Sequence, residues 1–538
     1  MYVHEEGNLR QFIELFAGCG GMSLGLQSKN FDLVLANELS PMAAETFALN
    51  HLGIDLSKTT SAGSNKVSWL ASNHSIDNLD KRLRENPYET RTADAGGYSD
   101  INDEDLVHGR HLIIGSIVQL NEFLEQELNA NIPLKDKLTV DLVSGGPPCQ
   151  SFSMAGLRQK DNHRNRLPWE FARFVGLTRP KIALLENVSG ILRAFKEGGN
   201  EFHAWIEVSK AFASIGYAPI CIHVNAKYVG LPQNRPRFIM LALRRDVLDK
   251  LLRTPLNDAE KEALELALES LSSSFRWDQM KYWDVSNSAD AGFFLGDLFG
   301  SFFTHRTSTE WVPSQSALQD LEISSKSESP QSSYVQKINI LFGHKLSSTK
   351  TNTQLRKHTN KVKQRFRVYQ VLENVGIRSL FSAICNENDP QVLKILTAPL
   401  LKEEFLFEGN SLRTPRDMNE VVDLFKKLKT KKHTQRALVR SAPAPAALSI
   451  PDDCCHYSET ELRTLSVREV ARLQSFPDSF EFKSKVTTGG MNRKFEVPQY
   501  TQAGNAVPPL LARAAGTSIN TILERIETIE TESLKRRW

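Results

Sequence analysis

Residues 144–153 read SGGPPCQSFS, a thiol, Cys149, set in a run of two glycines and two prolines. Pro147 and Pro148 restrict φ and donate no backbone hydrogen bond. Gln150, Ser151 and Ser153 continue the chain as polar, loop-like residues. Cysteine is commonly a small buried hydrophobe, but a thiol presented rigidly near arginines is a candidate nucleophile of lowered pKa. Three other stretches carry chemistry that would suit it. FAGCGG (16–21) is dense enough in glycine for its backbone to approach a ligand closely, yet it lacks the G-x-G-x-x-G spacing of a dinucleotide site. LLENV (184–188) ends an apolar run on Glu186 and Asn187, where the acid is a cap unless a substrate needs a proton. QNRPRFIM (233–240) sets Arg235 and Arg237 on one side of a strand, either as salt-bridged surface or as binders of an anion or carbonyl.

The elements that must position these groups follow from hydrophobic patterning. QFIELF (11–16) reads as a strand running through a glycine turn into a helix, and FDLVLANELS (31–40) as a second strand ending on Glu38. A carboxylate there is placed to bond ribose hydroxyls. Residues 110–118, 138–146, 181–188, 220–226 and 237–245 are further strand candidates, with amphipathic helices predicted over 168–177 and 203–215. The alternation predicts an α/β domain with a largely parallel sheet, whose ligands bind at the carboxyl edge. Residues 50–110 are expected to be an irregular polar excursion rather than core.

From 246 to 460 the alternation stops, which predicts a separate, irregular α+β domain. Two basic runs, 350–367 and 426–440, lie there, and each suits either phosphate neutralisation or a solvated helix face. Residues 466–476 regain helical spacing, and TQAGNAVPPLLARAAGTSINTILERI closes on a turn and a last helix. With 538 residues the chain has the length of roughly two to four domains. Its net charge of +3 selects no partner class. No apolar run approaches the ~20 residues of a membrane span. None of the six cysteines forms a C-x-x-C pair, so neither a metal site nor a disulfide framework is expected. These features predict a cytoplasmic protein.

Taken in order, ELFAGCGGMSLGL, NELS, GGPPCQSFS, RNRL, ENV, QNRPR, RTLSVREVARLQSFP and QAGNAVPP resemble the cytosine-C5 DNA methyltransferases, and only the middle of the chain lacks a match. The resemblance implies a Rossmann-like S-adenosylmethionine domain with a mixed, mostly parallel sheet over 1–245, with the insertion at about 50–110. A smaller target-recognition domain would cover 246–460, and a segment over 461–538 would return to the catalytic domain. It implies cofactor contacts from Phe16, Gly18, Gly20, Gly21, Glu38, Ser116, Ile117, Leu167, Asn505, Ala506 and Val507. Cys149 would be the nucleophile, Glu186 would contact cytosine N3 and N4, Arg237 the base O2, and Arg235 would support the thiolate.

Pro147, Pro148, Gln150, Ser153 and Gln233 would belong to the substrate-base pocket and its loop, with the Pro147 carbonyl accepting from the exocyclic amine. The implied substrate is double-stranded DNA, acted on by a monomer at the nucleoid of a bacterium, with a cognate restriction endonuclease as the implied companion. Two other readings remain: a transfer-RNA cytosine-C5 methyltransferase, and a DNA-binding regulator without catalysis. One position departs from the pattern. GSI (115–117) stands where relatives commonly carry Gly-Asp-Ile, so Ser116 replaces the acid expected on the adenine amine, and Asp141 is the candidate substitute.

Overall fold

The computed structural model describes residues 9–58, 66–89, 96–101, 109–130, 140–148, 166–197, 200–323, 330–343, 350–408, 411–430, 435–446 and 452–535. Cys149, Gln150 and Ser153 lie outside these residues. Nine strands form the main sheet among them: β1 (Arg10–Leu15), β2 (Phe31–Glu38), β3 (Val67–Trp69), β4 (His111–Ile114), β5 (Leu142–Gly145), β6 (Ile182–Val188), β7 (Tyr217–Asn225), β8 (Pro236–Arg244) and β9 (Tyr282–Asp284). Their spatial order is β9-β7-β8-β6-β5-β1-β2-β4-β3. From β6 to β3 every pairing is parallel, whereas β8 runs antiparallel to both β6 and β7.

Side-chain alternation along these strands feeds two cores, one on each face of the sheet. Phe12, Ile182, Leu184, Ile239 and Leu241 enter one; Ile13, Ala183, Leu185, Phe238 and Met240 enter the other. The second face is covered by α3 (Ile117–Ala130), α4 (Leu167–Thr178) and α5 (Ala204–Ser214), through Leu120, Phe171, Phe174 and Val208. On the first face, α1 (Gly21–Gln27) lies against the end of the chain. A Cβ on Gly21 would overlap the Val507 carbonyl, and one on Gly25 would overlap the Pro509 carbonyl and come within 2.5 Å of Ala512 Cβ. These two glycines let the last helix, α9 (Pro509–Lys535), lie on α1. Arg10 and Asn520 then bond across the same seam, as do Arg513 and Ser28.

Two expectations are corrected. The insertion is not merely a polar excursion, because β3 extends the sheet edge beyond β4 and Val67, Trp69, Leu70 and Leu83 are buried. Arg82, fully buried, forks onto Asp100 beneath the Trp69 ring and lets a short polar segment fold against the core. Nor does the core break at 246. Val247, Leu264, Trp283, Phe293, Phe299, Ile338 and Phe342 continue the main core, whereas a small separate core forms between α6 (Asn360–Val375) and α7 (Met418–Leu428), with Val368, Leu372, Phe405, Val421 and Phe425. Apolar alternation faded from the sequence before packing on the sheet did.

The helix expected over 466–476 is α8 (Val467–Leu473), closed by a Ser466–Glu469 capping box. Its charged residues face inward. Arg472 bonds Asp478 at 2.7 and 2.8 Å and Asp320 at 2.5 and 3.0 Å, and Arg463 holds Glu469 at 2.7 and 2.8 Å. The basic runs divide likewise. Arg356 pairs with Asp452, while Arg365 and Arg367 donate to the Leu428 and Glu404 carbonyls. Lys357, Lys361 and Lys426 remain exposed, with no ion pair among the described residues.

The α1 seam generates a paired test. Gly25→Ala should lower the urea midpoint, by about 1–3 kcal/mol of stability, through overpacking against Pro509 and Ala512. Gly176→Ala in α4, where an added Cβ meets Ile215 at an ordinary 3.6 Å, should instead raise it by about 0.5–1 kcal/mol.

Candidate active site

The carboxyl ends of β1, β2, β4, β5 and β6 open on one cavity of about 260 Å3. It forms where the chain leaves β1 to one side for β2 and crosses to the other for β5, the switch point at which open α/β sheets bind ligands. Phe16, Gly18, Gly21, Glu38, Ser116, Ile117, Leu167, Asn505, Ala506 and Val507 line it together with Pro148 and Glu186.

The loop after β1 makes its turn with Phe16, Gly18 and Gly20 all at positive φ. For Phe16, at φ 55°, that backbone is strained and is sustained by the surrounding bonds, with the neighbouring Ala17 N–H donating to the Asn37 carbonyl. Glu38 anchors the loop: one carboxylate oxygen accepts from the Gly18 N–H at 2.8 Å and the other from the Ser40 N–H at 2.7 Å. Burial pushes the Glu38 carboxyl above its usual range, and these backbone donors pull against that. Gly20 is not part of the cavity wall. An added Cβ there would overlap His51, so its role is to admit that ring.

Ser116 and Ile117 begin α3, where the Ser116 hydroxyl accepts from the Val118 N–H at 3.2 Å and its carbonyl accepts from Leu120. Asp141 does not substitute for the missing acid. It precedes β5 at the opposite edge of the sheet, where it accepts from the Gln11 N–H and pairs with Lys181 at 2.8 Å. The additional acid on the wall is Glu14, 2% exposed, which accepts from the Ser23 hydroxyl. Burial pushes its carboxyl up to about 8. An acid inside the apolar run QFIELF was the available signal for it. Cys19 also lines the cavity, where burial drives its thiol value upward and its Sγ lies 3.7 Å from the Gln502 carbonyl.

At the other end, β6 and β8 bring Glu186 and Arg237 together, with Arg237 Nε 2.7 Å from Glu186 Oε1 and both residues 8% exposed. Burial presses the Arg237 value down and the Glu186 carboxylate opposes it. Gly146 runs beside this pair, since an added Cβ would sit 3.4 Å from Glu186 Oε2 and 3.8 Å from Val507. Asn187 fixes the loop by donating to the Pro147 carbonyl at 3.0 Å, a clamp not anticipated from the sequence. Arg235, 2% exposed, donates to the Ala506 carbonyl at 3.0 Å and so ties the C-terminal turn to this edge. Gln233 is fully buried, and its backbone pairs with Ala444.

The family model for C-5 cytosine-specific DNA methylases matches residues 10–74 and 113–521. The chain belongs to this family. Among curated relatives of this methylase, the type II methyltransferase M.DdeI of Desulfomicrobium norvegicum is 25% identical over 530 residues, covering 97% of this chain and 92% of that one. The type II methyltransferase M.AgeI of Thalassovita gelatinovora is 24% identical, covering 95% and 99%. The solved S. pombe Dnmt2 methyltransferase aligns with a TM-score of 0.37 and 14% identity over 96% of this methylase and 98% of its own chain. No helix among the described residues of the methylase is long and apolar enough to cross a membrane.

Glu14 predicts a pH dependence. The folded chain holds a proton on it between about 4.5 and 8 that the unfolded chain has released, so stability should fall as pH rises through that window. Glu14→Gln, neutral throughout, should shrink the drop in urea midpoint between pH 5.5 and pH 8.

Proposed function

We propose that the enzyme transfers the methyl group of S-adenosylmethionine to C5 of a cytosine rotated out of double-stranded DNA, through a covalent Cys149–C6 adduct. The observation that carries this reading is the single crevice shared by the Glu38-anchored glycine loop and the Glu186–Arg237 pair. The cavity suits the cofactor. Glu38 uses two acceptor positions on backbone donors and retains others for a pair of vicinal hydroxyls. Phe16 and Ile117 offer apolar walls. When bound, the cofactor would supply an electrophilic methyl on its sulfonium.

The chain's own residues would do the rest. C5 of cytosine is a poor nucleophile. The Cys149 thiolate adds to C6, the C5–C6 π pair moves toward C4 and the C4–N3 π pair onto N3, and Glu186, having taken up a proton from solvent, gives it to or shares it with N3. Arg237, held by Glu186, donates to the base O2. The resulting enamine carbon C5 takes the methyl while the bonding pair stays on sulfur, which leaves as a neutral thioether; loss of the C5 proton to solvent returns an electron pair that expels the Cys149 thiolate, and N3 gives back its proton. A stacked base cannot reach these groups, so it must leave the duplex at a cost of a few kcal/mol, offset by pocket contacts.

Within 246–460, the part built on the separate core of α6 and α7 would hold the duplex, with Lys357, Lys361 and Lys426 on phosphates and base edges read in a groove. Because the curated relatives named above are type II methyltransferases, the biological role we assign is protection of host DNA from a cognate endonuclease.

Incubation with labelled S-adenosylmethionine and either duplex DNA or transfer RNA should label cytosine C5 in DNA alone; label confined to RNA overturns the reading. Cys149→Ala should abolish transfer and leave DNA binding measurable, and retained turnover would mean another nucleophile. Ser116→Asp keeps the helix cap and adds a carboxylate at the base end of the cavity. It should tighten S-adenosylhomocysteine about threefold to tenfold in calorimetry.

A further inference from the structure

The carboxyl edge of the sheet continues past the reacting pair. β7 runs in the same direction as β6, since both are antiparallel to the strand between them, β8. The end of β6 at Glu186, the start of β8 at Arg237 and the end of β7 at Asn225 therefore share one edge, with Arg237 opposite Val188 on one side and Val224 on the other. Lys227, just beyond β7, stands two interstrand steps from β6, about 10 Å. That is the scale on which a nucleotide separates its base from its phosphates.

The chain at Lys227 is a fixed turn, Ala226–Val229. The Asn225 side-chain oxygen accepts from the Lys227 N–H at 3.3 Å and from the Arg235 N–H at 2.9 Å, and the Ala226 N–H donates to the Arg235 carbonyl at 2.9 Å. The Tyr228 carbonyl accepts from the Thr304 and His305 N–H groups at 3.0 and 2.9 Å. Gly230 closes the turn at φ 88°, where an added Cβ would overlap His305. The backbone of Lys227 is thus tied to Arg235 and to residues 304–305.

The side chain is held as well. Its Nζ lies 3.4 Å from the centroid of the Trp311 ring and 5.0 Å from that of Tyr228, and Tyr228 meets Phe303 and Trp311 edge-on at 5.3 and 6.0 Å. Aromatic faces attract a cation but do not neutralise it. Burial lowers the Lys227 value, and no carboxylate opposes that shift. The acids of the flanking segments are engaged elsewhere, Asp284 by His223 and Ser286, and Glu310 by the Arg306 and Thr307 N–H groups. The Trp311 indole N–H, a donor only, is buried without an acceptor among the described residues. Two donors at this point of the edge lack an acceptor, a deficit that the oxygens of an anion would make good.

We infer that Lys227 is a DNA-binding residue, held by Trp311 and Tyr228 so that its ammonium takes a backbone phosphate beside the reacting end. This rests on the DNA reading above and extends it to a residue outside both basic runs. A lysine already fixed by two rings loses less rotamer freedom on contact than a free one.

Fluorescence anisotropy of a labelled mixed-sequence duplex with the full-length protein, over a range of salt concentrations, tests it. Lys227→Met keeps an apolar stem on the Trp311 ring and removes the charge. It should weaken the duplex about tenfold and lower the slope of log K against log salt by about 0.9, the value of one phosphate. Lys227→Arg should keep the slope and bind within about threefold of the wild type. Both variants should hold S-adenosylhomocysteine as the wild type does, and on unmethylated genomic DNA Lys227→Met should raise KM for DNA with kcat nearly unchanged. An unchanged slope in Lys227→Met, whether or not affinity falls, overturns the inference and leaves the proposed function standing. If the wild type itself binds no duplex, the DNA reading falls and the inference with it.

Discussion

The architecture depends on a close approach between α1 and the far end of the chain. Gly21 and Gly25 leave no side-chain volume where the Val507 and Pro509 carbonyls lie, so the turn at 505–507 can form one wall of the cavity whose opposite wall is the loop before α1. A larger residue would hold α9 off the sheet and open that wall. Arg235 then fastens the turn from the other side through the Ala506 carbonyl, and residues 271 positions apart become one surface.

Charge burial supplies the second constraint. Removing a guanidinium from water costs several kcal/mol unless it is paired and its donors are bonded. Here each buried arginine of the C-terminal segment finds such partners: Arg472 with Asp478 and Asp320, Arg463 with Glu461 and Glu469, and Arg468 with the Pro477 and Phe480 carbonyls. Because an unpaired buried charge would be costly, these contacts select one arrangement of α8 against Ala317, Asp320, Thr351 and Asn352. The Glu186–Arg237 pair obeys the same rule at the site. Holding the carboxylate and the guanidinium 2.7 Å apart before any ligand arrives removes the reorganisation that loose side chains would need.

Much of the fold and site was legible because the signals were local. An apolar run ending in a glycine turn or an acid reads as a strand with chemistry at its carboxyl edge. Phe16, Glu38, Ser116, Pro148 and Glu186 all stand at such ends, and parallel strands necessarily bring those ends to one side. Illegible features lacked a local signature. β3 is three residues long and is recruited to the core by Arg82 and Trp69. The core continues through 247–342 on scattered aromatic residues without a strand period. Glu14 did carry a local sign, an acid inside the apolar run of β1, but only the packing of Ser23 and the cavity reveals what it is buried against.

The sequence by itself determined the strand–turn–helix units, the order of the chemical groups and the family to which they belong. Backbone stereochemistry and hydrophobic period act over a few residues, and the motif residues are contiguous. Tertiary structure alone decided which polar groups serve the cavity and which serve the scaffold. Gly20 makes room for His51, Asp141 faces the wrong edge, Asn187 clamps Pro147, and the insertion brings Pro87 to the cavity wall. Each of these outcomes depends on contacts between distant segments, whose distances and burial no local pattern encodes.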